Sequence, residues 1–248
     1  MSRKLISLSA ATILMSSTAM ADVPSVAVDI APVHSLVARV MRSVGEPNLI
    51  IPANASPHRY NLRPSEAKAL QDANLVFWMG EGLAPWMENA LDSLASNAKI
   101  IALLDQKETE LMEFREGALF EEHDHDDHAD HDDHDEHDEH AHGKYDPHAW
   151  LSLENARTWL NLIAAQLSAT DPENAGVYFS NAAEARAELA TLISEVNKML
   201  KPVRGMKFVV FHDAYQYFEK SFDFPASGAI SLSDASDPSP ARIAQSHG

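Results

Sequence analysis

The chain has 248 residues, with 37 acidic against 19 basic side chains, a formal charge of −18 and no cysteine. A chain of this length forms one or two domains with a stable core, because it buries roughly three quarters of the surface it exposes when unfolded. The missing cysteine excludes disulfide scaffolds, thiolate zinc sites and cysteine nucleophiles. The acidic excess argues that there is no nucleic acid partner, because phosphates are bound by a basic footprint.

Residues 1–21 read as a secretory signal peptide. Arg3 and Lys4 supply its positive end, 5–15 its apolar stretch, and Ala19-Met20-Ala21 a small-x-small cleavage site. The apolar stretch is shorter than the ~20 residues of a membrane span. Export without cysteine is consistent with the periplasm.

From residue 22, β-branched runs alternate with helical ones. Strands are predicted over 25–30, 48–51, 75–79 and 99–104, and helices over 33–44, 64–73 and 84–94. This alternation implies a parallel sheet covered on both faces, with ligands at the carboxyl ends of its strands. A helix follows over 153–168. Asp171-Pro172 then opens a longer one, reaching to about Leu200, whose apolar stripe runs through Leu189, Leu192, Ile193, Val196, Met199 and Leu200. Thirty helical residues span about 45 Å, enough to run from one lobe into another. A second α/β unit follows with a strand over 207–211, a helix over 214–221 and a strand over 226–231. About 45 residues cannot bury a core of their own, so the expectation is a second lobe that is truncated at its C-terminal side.

The charge is concentrated in one place. Residues 121–142 hold 12 acids, 8 histidines and 2 alanines, so the rest of the chain carries only −6. That composition cannot make a packed core and predicts a disordered segment. His123, His125, His128, His131, His134, His137, His140 and His142 among carboxylates make it a candidate secondary, weak metal-binding loop. Aspartates alone would suffice for solubility. A flexible segment of this length reaches about 25 Å, far enough to deliver ions to a site it is attached to.

Five histidines lie outside the run: His34, His58, His148, His212 and His247. His58 falls in a loop at the carboxyl edge of the predicted sheet, His148 follows Asp146-Pro147, and His212 caps the strand ending at Phe211. Either these three are solvated surface residues or they converge on an interdomain metal, for which neutral imidazole suits Zn²⁺. His34 is expected to be solvent-exposed, with a helix cap or a secondary contact at the cleft edge as the alternatives, and His247 belongs to a frayed terminus. Trp78, Trp86, Trp150 and Trp159 are expected in the core or in the walls of a cleft.

The segments 56–65 (SPHRYNLRPS), 146–152 (DPHAWLS) and 208–220 (FVVFHDAYQYFEK), with the His/Asp run between the first two, resemble the periplasmic zinc receptors of ABC importers, of the ZnuA type. The resemblance covers essentially the whole chain after residue 21. It implies an α/β fold of two lobes with parallel sheets joined by one long rigid helix, with Zn²⁺ held in the cleft between them. The implied division is an N-terminal lobe over 22–170, a linking helix over 171–202 and a partial C-terminal lobe over 203–248. His58 and His148 would be ligands from the first lobe and His212 the ligand from the second. Manganese receptors of the family tend to carry an acid where His212 stands, so histidine favours zinc. The family's usual carboxylate ligand would lie beyond Gly248, which leaves three imidazoles and an open position. Implied partners are the zinc ion, the membrane subunit of an ABC permease and a periplasmic zinc chaperone.

The chain is thus expected to be a non-enzymatic, high-affinity zinc receptor. Three alternatives stay open at this point: a zinc-dependent hydrolase using the three-histidine site, a receptor for manganese or another divalent metal, and a metal buffer in which only the run binds. No H-E-x-x-H motif accompanies the hydrolase reading.

Overall fold

Strands whose every residue is apolar belong in the middle of a parallel sheet, where both faces are covered. The first strand, β1 (Val26–Val28), is such a strand and is fully buried. The computed structural model describes residues 23–115, 120 and 144–231. The signal-peptide reading of 1–21 and His247 lie outside these residues. In chain order they form β1, α1 (Ala31–Val40), β2 (Asn48–Leu49), α2 (Pro64–Gln71), β3 (Leu75–Trp78), α3 (Pro85–Leu94), β4 (Lys99–Ala102), α4 (Leu153–Thr170), α5 (Ala175–Leu200), β5 (Val209–His212), α6 (Gln216–Phe222) and β6 (Gly228–Ser231).

The first lobe is an all-parallel four-stranded sheet in the order β2-β1-β3-β4. Because β2 and β3 lie on opposite sides of β1, the strand order reverses beside β1, which is where ligands gather in such sheets. Asp29 stands at that point. One carboxyl oxygen accepts the Ile30 N–H at 2.7 Å and the other the Met79 N–H at 2.6 Å, tying the ends of β1 and β3 together inside the core. The ladder of β2 continues past Leu49, since the N–H groups of Ile50 and Ile51 donate to Val28 and Asp29.

Proline opens α1, α2 and α3, where the missing N–H costs nothing and the fixed φ suits a helix start. α4 is N-capped by Ser152, whose hydroxyl accepts the Asn155 N–H. Trp159, Leu160, Ile163, Ala164 and Leu167 of its buried face join the core of the first lobe. Pro172 starts a single 3-10 turn before the 26 residues of α5, so the long helix is shorter than expected. At 1.5 Å per residue it spans about 39 Å.

Only the first part of α5 is clamped. Tyr178, Asn181, Ala182 and Ala185 are buried, with Tyr178 donating to Asp171 and Asn181 to the carbonyls of Val40 and Arg42. Beyond Ala185 no residue of the helix is buried, and Leu192 and Met199 of the expected stripe are exposed. Leu189, Ile193, Val196 and Leu200 of the stripe are half-buried, with Leu189 packed against the core, while the described part of the second lobe is β5 paired in parallel with β6 and α6 beside them. Tyr217 of α6 nonetheless inserts into the core of the first lobe, so the two lobes share buried contact. α6 begins later than the spacing predicts: 213–215 are not helical, and the Asp213 N–H donates to the Ser231 carbonyl at the end of β6.

The stems of the acidic segment are paired with each other. Glu113 and Tyr145 form an antiparallel bridge, and the Phe114 N–H donates to Lys144. The Phe120 N–H donates to Ser227, next to the second sheet. No helix among the described residues is long and apolar enough to cross a membrane.

Candidate metal centre

Each of the three histidines is delivered by a locally fixed piece of chain. On the N-terminal side of His58, Pro57 restricts the backbone and its carbonyl accepts the Trp86 indole N–H at 2.8 Å. On the other side, the Tyr60 hydroxyl donates to the Glu66 carboxylate, which also accepts the Arg63 N–H at the start of α2. The loop is therefore pinned on both flanks of the ring.

His148 is presented by Asp146-Pro147. The Asp146 Oδ1 accepts the His148 backbone N–H at 2.9 Å, a short side-chain turn that aspartate makes readily two residues on. The same oxygen lies 2.5 Å from the ring Nδ1. Burial works to raise the Asp146 carboxyl, but bonds from His148 and Gln216 outweigh it and hold it below the usual carboxylate range. An ionised carboxylate only accepts, so it places the ring proton on Nδ1 and leaves the Nε2 lone pair available. That Nε2 is buried with no hydrogen-bond partner among the described residues. Trp150 packs against the ring at 5.1 Å between centroids.

His212 ends β5, and Asp213 directly after it is held by Arg115 from the first lobe. The three rings meet edge to face, with centroid separations of 5.4 Å for His58–His148, 6.3 Å for His58–His212 and 5.0 Å for His148–His212. One ring nitrogen from each lies within 4.8 Å of the others. A tetrahedral zinc ion with Zn–N distances of about 2.0–2.1 Å holds its nitrogens about 3.3 Å apart. Small side-chain rotations close that difference, so the donor set fits the ion.

The family described as zinc-uptake complex component A, periplasmic (ZnuA), matches residues 26–247. The chain belongs to the ZnuA family. It is 46% identical over 238 residues to the high-affinity zinc uptake system protein ZnuA of Paracoccus denitrificans, covering 91% of this chain and 72% of that one. It is 44% identical over 239 residues to the protein of the same name from Brucella abortus, covering 90% and 72%. A crystal structure of ZnuA superposes with a TM-score of 0.67 at 23% identity, over 89% of this chain and 76% of the other. The Streptococcus pneumoniae AdcAII structure does so with a TM-score of 0.67 at 19% identity, over 90% and 74%. Both structural likenesses are of fold, and they agree with the two-lobed α/β reading.

Of the residues singled out in the sequence, His58, His148 and His212 come together. His34 does not join them: it is half-buried, and its Nε2 lies 3.0 Å from the Pro47 carbonyl, where it braces the turn after α1 instead of facing solvent or capping. The eight histidines of the run, 123–142, lie outside the described residues. Trp78 and Trp159 are core residues, while Trp86 and Trp150 are half-buried beside the site. Sequence reasoning missed the roles of Asp146, Trp86, Arg115, Gln216 and Tyr217. The Asp-Pro-His spacing could have pointed to Asp146, because a carboxylate two residues before a histidine can reach both its N–H and its ring.

Proposed function

We propose that this chain is a periplasmic receptor that captures Zn²⁺ with His58, His148 and His212 and passes it to an ABC permease for uptake. The observation that carries the site is the buried, unpartnered Nε2 of His148 beside two further imidazoles. Burying a polar atom without a partner costs roughly 1–3 kcal/mol, a cost that a bound cation removes. The family is one of solute-binding receptors and not of enzymes. A zinc chaperone as a further partner rests on the sequence resemblance alone, as does weak capture by the run. The division into lobes over 22–170 and 203–248, linked through 171–202, belongs to the same reading.

Zinc titration of the mature protein against a chromophoric chelator, with manganese as competitor, tests this directly. Wild type is expected to hold one ion tightly and to prefer zinc. Replacing His148 with alanine is expected to weaken that site by more than the 10–100-fold that loss of an outer partner costs. Unchanged tight binding in the single alanine variants of His58, His148 and His212 would return the function to the run alone.

Ligating imidazoles must be neutral, so protons compete with zinc. With unperturbed imidazole near pKa 6.5, lowering the pH from 7.5 to 6 is expected to weaken the tight site progressively. A flat affinity over that range speaks against histidine ligation.

A further inference from the structure

The first helix of the second lobe carries more than a ligand's neighbours. Gln216, its first residue, lies four positions after His212 and is buried. Its amide donates across the lobe boundary to the Asp146 Oδ2 at 2.6 Å and to the Glu113 carbonyl at 3.1 Å. The adjacent Tyr217 hydroxyl donates to the Asp146 carbonyl at 2.9 Å and accepts the Met112 N–H at 2.8 Å. The Asp146 N–H in turn donates to Met112. Asp146 is thus held by its own lobe through its N–H and its Oδ1, and by the other lobe through its carbonyl and its Oδ2.

We propose that Gln216 is a positioning residue for metal capture. By fixing the carboxylate of Asp146 from the second lobe, it aims the ring of the first-lobe residue His148, so that seating of α6 and zinc affinity are coupled. The inference rests on His148 being a ligand. The physical reason is that a carboxylate with one oxygen on a histidine ring and the other on a fixed donor cannot rotate without losing both bonds. Partners of this outer kind orient a ligating ring and set which nitrogen carries the proton. Gln216 and His212 share a short stretch of one lobe, so displacing α6 would move a ligand and release the aim of another together. Coupling of this kind is reciprocal: zinc stabilises the seated arrangement as much as seating improves zinc affinity.

The test uses the full mature chain carrying Gln216→Met, which keeps the side chain's bulk and removes its donors, with Gln216→Ala as a second variant that makes no demand on space. Zinc affinity is measured by chelator competition, and the proton position on His148 by ¹⁵N NMR of the metal-free protein. Both variants are expected to bind zinc about 10–100-fold more weakly and to lose the dominance of the Nδ1–H form of His148. A purely structural role for Gln216 would leave that ring signal unchanged. A folded variant with wild-type affinity and a wild-type ring signal overturns the inference. If His148→Ala in parallel abolishes tight binding, the site survives that failure; if it too binds normally, the site falls with the inference.

Discussion

Replacing Arg115 with alanine is expected to lower the unfolding free energy of the metal-free protein by about 3–5 kcal/mol, as loss of one partner of a buried charge pair does. Arg115 rises from the stem beside Glu113 and Phe114 and forks between two acids of the other lobe. It contacts both oxygens of Asp213 and both of Glu219, including a 2.7 Å bond to Glu219. Asp213 and Glu219 are buried, and Arg115 itself is mostly covered, with its guanidinium 3.7 Å over the Phe120 ring. Burial raises the Asp213 carboxyl and Arg115 works against that rise. Without the guanidinium, two neighbouring carboxylates remain in a poorly hydrated seam, with Glu219 also accepting the Ala226 N–H. Urea denaturation measures the loss. Arg115→Lys is expected to recover only part of it, because an ammonium cannot serve two carboxylates with a planar fork. A loss below about 1 kcal/mol would mark the cluster as equivalent to an exposed ion pair.

The second large effect is expected at Asp29. Burial pushes its carboxyl up to about 7, against the opposing pull of the Met79 and Ile30 N–H groups. In the unfolded chain the same group titrates at 3.8, so between these values the folded protein keeps a proton that the unfolded chain has lost. The stabilisation is therefore fully present below about pH 4 and disappears as pH rises to about 7, a total of about 4 kcal/mol at roughly 1.4 kcal/mol per pH unit. Asp29→Asn has no proton to lose. Measured by denaturation from pH 4 to 7, wild type is expected to lose stability relative to this variant by about that amount. A difference that stays constant with pH would mean that the folded carboxyl titrates normally.

Much of this architecture is legible in local pattern. The alternation of β-branched and helical runs gave the parallel sheet, and the position of His212 after Phe208-Val209-Val210-Phe211 placed it at a strand's carboxyl end, where β5 indeed ends. Boundaries were less readable because tertiary bonds decide them. The non-helical stretch after His212 is tied to β6 by the bond from the Asp213 N–H to Ser231, and Pro172 makes a 3-10 turn where an α-helical start was expected. His34 had no sequence feature to show that a carbonyl of the turn after α1 would meet its ring. The partners of Asp146 and Arg115 were hidden for the same reason: Gln216 is 70 residues from Asp146, and Asp213 is 98 from Arg115. Periodicity reports which face of an element is covered, but not which polar group waits on the covering element. The stripe along the second part of α5 shows the converse, since its pattern is apolar although Leu192 and Met199 are exposed and its other residues are only half-buried.

The bridge between Glu113 and Tyr145 has a consequence for how this protein can vary. A chain that leaves and re-enters a fold at adjacent points does not have its length specified by that fold. For an insertion without packing of its own, each doubling of length adds only about 0.6 kcal/mol of closure entropy. The bridge fixes where the segment leaves and re-enters the frame and sets no length between those points. The number of histidines in the insertion and the geometry of the three-histidine group can therefore change independently of one another.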